Sequence, residues 1–419
     1  MHASNVQISS ENILPKLIDQ VRTRIDSKEN QRRLKLQNTL NRKEKVFAFN
    51  SWQWGAGLSV SDALTPVPGM SIKDVSLYLN EVDVDFARII IEKQLQNQLN
   101  YFDKVDSDTP IATQIFTNVG LSWLYSPSPI GEVCVVNSET GAFVHSRVLK
   151  DSCAQWSSLP KPVFQVDKKL HQIRMEVYSE LTGRAFTLLD DLIPLPLGSV
   201  FGTASRLRGD AEILMDFRLC PDDVHALMRF LTDSVQKYNM AREHFLKQDQ
   251  WNQPINNSSD YLMYIFTSCA SIGGIQMYNA GEDHISADMF SEDDYLEFIF
   301  PYQKDLLKGC RYWYVHSCGN LTPFYKHIAK LPNVHRVHVS PWSKLEAAVE
   351  ALGNSVILEI HQTINFDELD KHEIEHMADR LVDACWGDCT VDIVLPCGSS
   401  SSENSQLYKN RILQRTKQY

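Results

Sequence analysis

The chain has 419 residues and 47.9 kDa, with 43% hydrophobic and 22% charged residues, a composition that excludes disorder as its dominant state. Forty-one basic against 52 acidic residues give a formal charge of −11 and a pI near 5.6, which excludes a general nucleic-acid or anionic-membrane surface. Nine cysteines, an odd number scattered from Cys134 to Cys397, read as reduced thiols rather than a disulfide framework.

No positive patch followed by an apolar core is visible in residues 1–12, so a cytoplasmic location is expected. Residues 13–45 carry Leu14, Leu17, Ile18, Val21 and Ile25 at helical spacing. From Lys16 to Lys45 there are ten basic and four acidic residues, a net +6 on an acidic protein. We read 1–44 as a solvated helical extension, or as a docking surface for an acidic partner.

From residue 45 to 419, short apolar runs alternate with helical stretches, the pattern of a parallel sheet with crossover helices. Strands are predicted at 46–50, 111–116, 195–203, 261–267, 312–316, 334–339, 356–360 and 391–395. Eight such units predict an α/β fold of the TIM-type (β/α)8 barrel class, with an N-terminal helical extension and insertions in its first half. The charge-free stretch 261–281 holds Thr267, Ser268, Ser271, Gln276 and Asn279, and so reads as a buried strand and following loop rather than a membrane span.

The strongest chemical signal is His316-Ser317-Cys318-Gly319-Asn320 at the end of the fifth run, with Cys397-Gly398 at the end of the eighth. A catalytic zinc takes three protein ligands from imidazole and thiolate and keeps a fourth position open. Positions i and i+2 of a strand share a face, so His316 and Cys318 are directed together, and barrel closure would add Cys397. The plainer alternative is a satisfied core histidine with two inert thiols. His372-Glu373-Ile374-Glu375-His376 satisfies H-E-x-x-H formally, but it lies amid Asp367, Asp370, Lys371 and Asp379, the wet side of an outer helix. Cys385 and Cys389 read as core thiols at the opposite end. Arg206 or Arg208 offers a fork of donors for an anion, against an ordinary salt bridge with Asp210 or Glu212. Trp52 and Trp54, after the first run, are candidates to line an apolar substrate pocket.

Over residues 195–397 the chain resembles the uroporphyrinogen decarboxylase superfamily, in particular its zinc-dependent, corrinoid-linked methyltransferase branch. The carriers are Leu207-Arg208-Gly209-Asp210, Pro221-Asp222-Asp223-Val224-His225, Tyr295-Leu296-Glu297-Phe298-Ile299-Phe300-Pro301-Tyr302, and above all His316-Ser317-Cys318-Gly319-Asn320-Leu321-Thr322-Pro323. The resemblance implies a barrel whose zinc is held by His316, Cys318 and Cys397, and methyl transfer between a small methyl donor and the cobalt of a corrinoid on a separate carrier protein. Asn320, His338, His361 or water would fill the fourth zinc position.

The match has departures. Phe49-Asn50-Ser51-Trp52-Gln53-Trp54 has no arginine where the decarboxylases carry an arginine-rich segment, the N-terminal side is longer, and the loop after Cys397 is Ser-rich. A methoxylated aromatic or other O-methyl donor is the favoured substrate. The alternatives are transfer from methylcorrinoid to a thiol or folate, a metal-free decarboxylase-like enzyme, and a non-catalytic adaptor for a corrinoid protein.

Overall fold

The computed structural model describes residues 13–52, 84–111, 114–116, 134–136, 143–145, 147–159, 168–189, 200–248, 271–272, 275–281, 285–307, 312–362, 366–396 and 402–417. Its strands, in chain order, are β1 (Phe47–Trp52), β2 (Gln114–Phe116), β3 (Cys134–Val136), β4 (Phe143–His145), β5 (Thr187–Leu189), β6 (Ser271–Ile272), β7 (Ile275–Gly281), β8 (Tyr312–His316), β9 (Val334–Val339), β10 (Ile357–His361) and β11 (Thr390–Pro396). The main sheet has the order β1-β11-β10-β9-β8-β7-β6. Its first six members run parallel, and the short β6 adds antiparallel to β7. β2 and β5 form a parallel pair of their own, and β3 and β4 an antiparallel one. The fold is therefore mixed α/β; among the described residues the β2–β5 pair is not hydrogen-bonded into the main sheet.

The late strands stand where the apolar runs place them, because strands covered on both faces read as near-continuous hydrophobic sequence. Trp313, Val315, Val337, Leu358 and Ile393 are buried in the main core with residues of the covering helices, among them Ile374, Leu381 and Ile412. One predicted strand and one predicted loop need correction. The run 195–203 predicts the third strand, but Val200–Arg208 is a helix and the strand is Thr187–Leu189. That helix buries every residue except Arg206, so it lacks the polar stripe that marks a helix in sequence. The run 261–267 lies outside the described residues; β7 falls within the stretch read as the following loop.

The N-terminal helices are built into the fold. In the helix Leu14–Ile25, Leu14, Leu17 and Val21 join a second core with Ile90, Ile91 and Leu95 of the helix Val84–Lys104, and with Ile115, Tyr178 and Leu188. The helix Lys28–Asn41, capped by Ser27 Oγ accepting from Asn30 N, seats Leu36 and Leu40 on Ala48 and Ile357. Its buried polar side chains bind backbone: Asn30 Oδ1 accepts from Ile111 N at 2.8 Å, and Gln37 Nε2 donates to the Asp108 carbonyl at 3.0 Å. Beyond it, Lys43 Nζ donates to the Ser355 carbonyl at 2.6 Å and Lys45 Nζ to that of Gly387 at 2.5 Å, both just ahead of strand starts. Residues 28–45 thus cover the end of the sheet where β10 and β11 begin.

Candidate active site at the carboxyl ends of the strands

β8 delivers His316 as its last residue, and Cys318 follows two positions on. Cys318 Sγ lies 3.5 Å from His316 Nε2, and Cys318 is exposed. The turn that carries them is held from beneath. Ser317 Oγ donates to the Ile285 carbonyl at 2.7 Å, Gly319 N donates to Ser317 Oγ at 3.0 Å, and Ser340 Oγ donates to the Gly319 carbonyl at 2.6 Å. Gly319 is required there: a Cβ would lie 2.5 Å from the Ile285 oxygen and 2.6 Å from Ser286 Cβ. Asn320 shapes the same turn, its Oδ1 accepting from Thr322 N at 3.1 Å.

One face of the sheet is lined by side chains at alternate positions, Tyr314 and His316 on β8, Arg336 and His338 on β9, Glu359 and His361 on β10, and Asp392 on β11. Tyr314, Arg336, Glu359 and Asp392 form a buried polar floor. Tyr314 donates its hydroxyl to Glu359 Oε1, Arg336 donates to Glu359 Oε2 at 2.9 Å, and Arg336 also pairs with Asp392. Two residues further along β8, β9 and β10 stand three histidine rings. His316 and His338 stack with centroids 4.4 Å apart and planes 8° from parallel, and His338 lies 4.1 Å from His361. The tiers are joined by Tyr314 Oη and His316 Nδ1 at 2.9 Å, and by His361 Nε2 and Glu359 Oε1 at 2.7 Å.

Burial pushes the Glu359 carboxyl up, but the hydrogen bond from His361 and the charges of His361 and Arg336 outweigh it and hold the group well below the usual carboxylate range. Burial, then the neighbouring His361 and His316, push His338 well below the usual imidazole range and leave it neutral. Neither ring nitrogen of His338 has a side-chain hydrogen-bond partner, and the Ser317 backbone acts on it weakly.

Among the described residues, no three His, Cys, Asp or Glu side chains stand together as a metal cage; His316 and Cys318 bring two donors. Cys397 and Trp54 lie outside the described residues. Of Trp52 only the backbone is described, where it ends β1 opposite Pro396, the residue before Cys397. Arg208 ends the helix Val200–Arg208, and all five of its donors are engaged within the protein. Nε and one NH2 hydrogen serve Asp216 at 2.6 and 3.4 Å, and the rest serve the carbonyls of Leu149, Lys150 and Asp151. The partner is Asp216, not Asp210 or Glu212. His372 and His376 are exposed, and Glu373 is occupied in a capping box with Asp370. Cys385 and Cys389 are fully buried in the main core. Tyr295, Phe298 and Tyr302, conspicuous in sequence, are packing residues, with Phe298 stacked on His225 and Tyr302 Oη 2.8 Å from His225 Nδ1.

Arg336, Glu359 and Asp392 are absent from the sequence-derived site. Their signal is a charged residue two positions from a histidine, or alone, inside an otherwise apolar strand: Arg336-Val337-His338, Glu359-Ile360-His361 and Val391-Asp392-Ile393. No helix among the described residues is long and apolar enough to cross a membrane.

Among solved structures, a methyltransferase from Methanosarcina mazei is similar over 91% of this chain and 98% of its own, with a TM-score of 0.50 and 12% sequence identity. At that identity the likeness is one of fold. No family model matches the chain, and no curated protein matches it.

Proposed function

We propose that this chain is a zinc-dependent methyltransferase that moves a methyl group between a small O-methyl compound and the cobalt of a separate corrinoid protein. The observation that carries the reading is the pair His316 and Cys318, an imidazole nitrogen and a thiol sulfur 3.5 Å apart at the carboxyl end of a parallel strand. This edge of a parallel α/β sheet is where such folds gather their sites. The fold shared with a methyltransferase supports the same class.

The donor set suits zinc, with His316 Nε2 and Cys318 Sγ as two ligands and Cys397, which follows the last residue of β11, as the third. Zinc so bound would supply a Lewis acid for the oxygen that gives up its methyl group. Ser317, Gly319 and Ser340 hold the turn so that thiol and imidazole converge before any metal arrives. Trp52, at the same edge, is assigned to the wall of an aromatic donor's pocket together with Trp54. We read the strand set β1, β2, β5, β7, β8, β9, β10 and β11 as a (β/α)8 barrel. Rings on strands two apart would stand roughly 10 Å from each other across a flat sheet. His316 and His361 are 5.9 Å apart, which supports a sheet curved toward the face that carries the site.

The test is metal content by elemental mass spectrometry on the wild type, Cys318→Ala and Cys397→Ala, followed by turnover with reduced corrinoid protein and O-methyl donors. About one zinc per chain is expected, lost in both variants. A wild type without zinc, or variants that both keep it, would overturn the reading.

A further inference from the structure

We propose that Tyr314 is a positioning residue that fixes the tautomer of His316, placing the proton on Nδ1 and leaving Nε2 bare toward Cys318. Glu359 receives three donors, the Tyr314 hydroxyl and His361 Nε2 on Oε1 and Arg336 on Oε2. A carboxylate in that position accepts and has nothing to give. The single hydroxyl proton of Tyr314 is therefore committed to Glu359, and toward His316 the phenol oxygen can only accept. At 2.9 Å it accepts from Nδ1–H. The neutral ring then has its lone pair on Nε2, the nitrogen 3.5 Å from Cys318 Sγ.

The order of donors is set from the far side of the floor. Asp392 pairs with Arg336, Arg336 with Glu359, Glu359 with Tyr314, and Tyr314 with His316, a chain that crosses four strands. Every member except His316 is fully or almost fully buried, so bulk water does not compete for these hydrogen bonds. A histidine prepared in this way meets a metal without losing a proton or turning its ring; only the two thiols must deprotonate. The inference concerns the chain before metal binds, and its use in catalysis rests on the zinc reading above.

The experiment is nitrogen-15 NMR of histidine-labelled, metal-free protein, with the His316 signals assigned by their loss in His316→Gln, alongside zinc affinity by competition with a chromophoric chelator. The wild type and Cys318→Ala should both show Nδ1 protonated and Nε2 bare. Tyr314→Phe should show a mixed tautomer and bind zinc ~10–100-fold more weakly while still unfolding cooperatively. A proton on Nε2 in the wild type would overturn the proposal whether or not Tyr314→Phe folds. So would a tautomer that changes in Cys318→Ala, or one that survives Tyr314→Phe with zinc affinity intact. A wild type with the stated tautomer but no zinc affinity would sink the metal reading and leave the tautomer standing.

Discussion

A guanidinium with all five donors committed cannot receive a substrate anion without first giving up a bond. Arg208 is in that state, and its work is to tie the segment 149–151 to the helix Asp210–Leu219. Breaking a buried pair strands the other charge, so Arg208→Ala should cost ~3–5 kcal/mol in urea unfolding. If Arg208 instead held substrate, the variant would unfold normally and show only a raised KM. Gly319 makes the opposite kind of demand, for the absence of a side chain. Gly319→Ala should displace the turn against Ile285 and Ser286 and, on the zinc reading, lower zinc content, with a smaller loss in the unfolding midpoint than Arg208→Ala.

Elements show how far sequence reaches and where it stops. β8 to β11 are legible because each is a short apolar run, and His316 and Cys318 are legible because they close one of those runs. The helix Val200–Arg208 is not, since burial on every side erases the 3.6-residue period that separates a helix from a strand. The helix Lys28–Asn41 misleads in the other direction. Asn30, Arg33, Gln37 and Asn41 are polar and buried, satisfied in part by backbone from 102–111, so a packed face reads as a wet one. Packing of this helix is testable: Leu40→Ala removes a fully buried side chain and should cost ~2–5 kcal/mol, where a solvated extension would lose nothing. At the other end of the chain, the helices Lys371–Cys385 and Glu403–Thr416 are tied by Asp379. The hydrogen bonds and charges of Arg411 and Arg415 hold its carboxyl down at about 2. A depressed carboxyl contributes stability above its unfolded value and loses it as pH falls through the folded one. Stability measured between roughly pH 4 and 2 should therefore fall less steeply in Asp379→Asn than in the wild type.

The described residues place different groups at the two ends of the main sheet. Histidines and Cys318 stand where the strands finish, while the basic residues of 28–45 stand where β10 and β11 begin. Six of the ten basic side chains in 16–45 are engaged internally: Arg24, Arg32, Arg33 and Arg42 with carboxylates, Lys43 and Lys45 with carbonyls. On the methyltransferase reading proposed above, this division would put corrinoid docking at the histidine end. Lys28→Glu with Lys35→Glu should leave methyl transfer from or to the corrinoid protein unchanged, measured as the KM for that protein; a marked rise would move docking to the basic end.

The basal closure also dictates an order of events during synthesis. β1 has its hydrogen-bonding partner in β11, and Lys43 and Lys45 reach carbonyls 312 and 342 residues later in the chain. β1 is thus held without this partner until the chain through β11 has emerged. Contacts so distant along the chain form slowly, and an unpaired parallel strand is a site for aggregation. Nascent chains stalled before Thr390 should be the species that chaperones retain, and release should coincide with the appearance of the last strand.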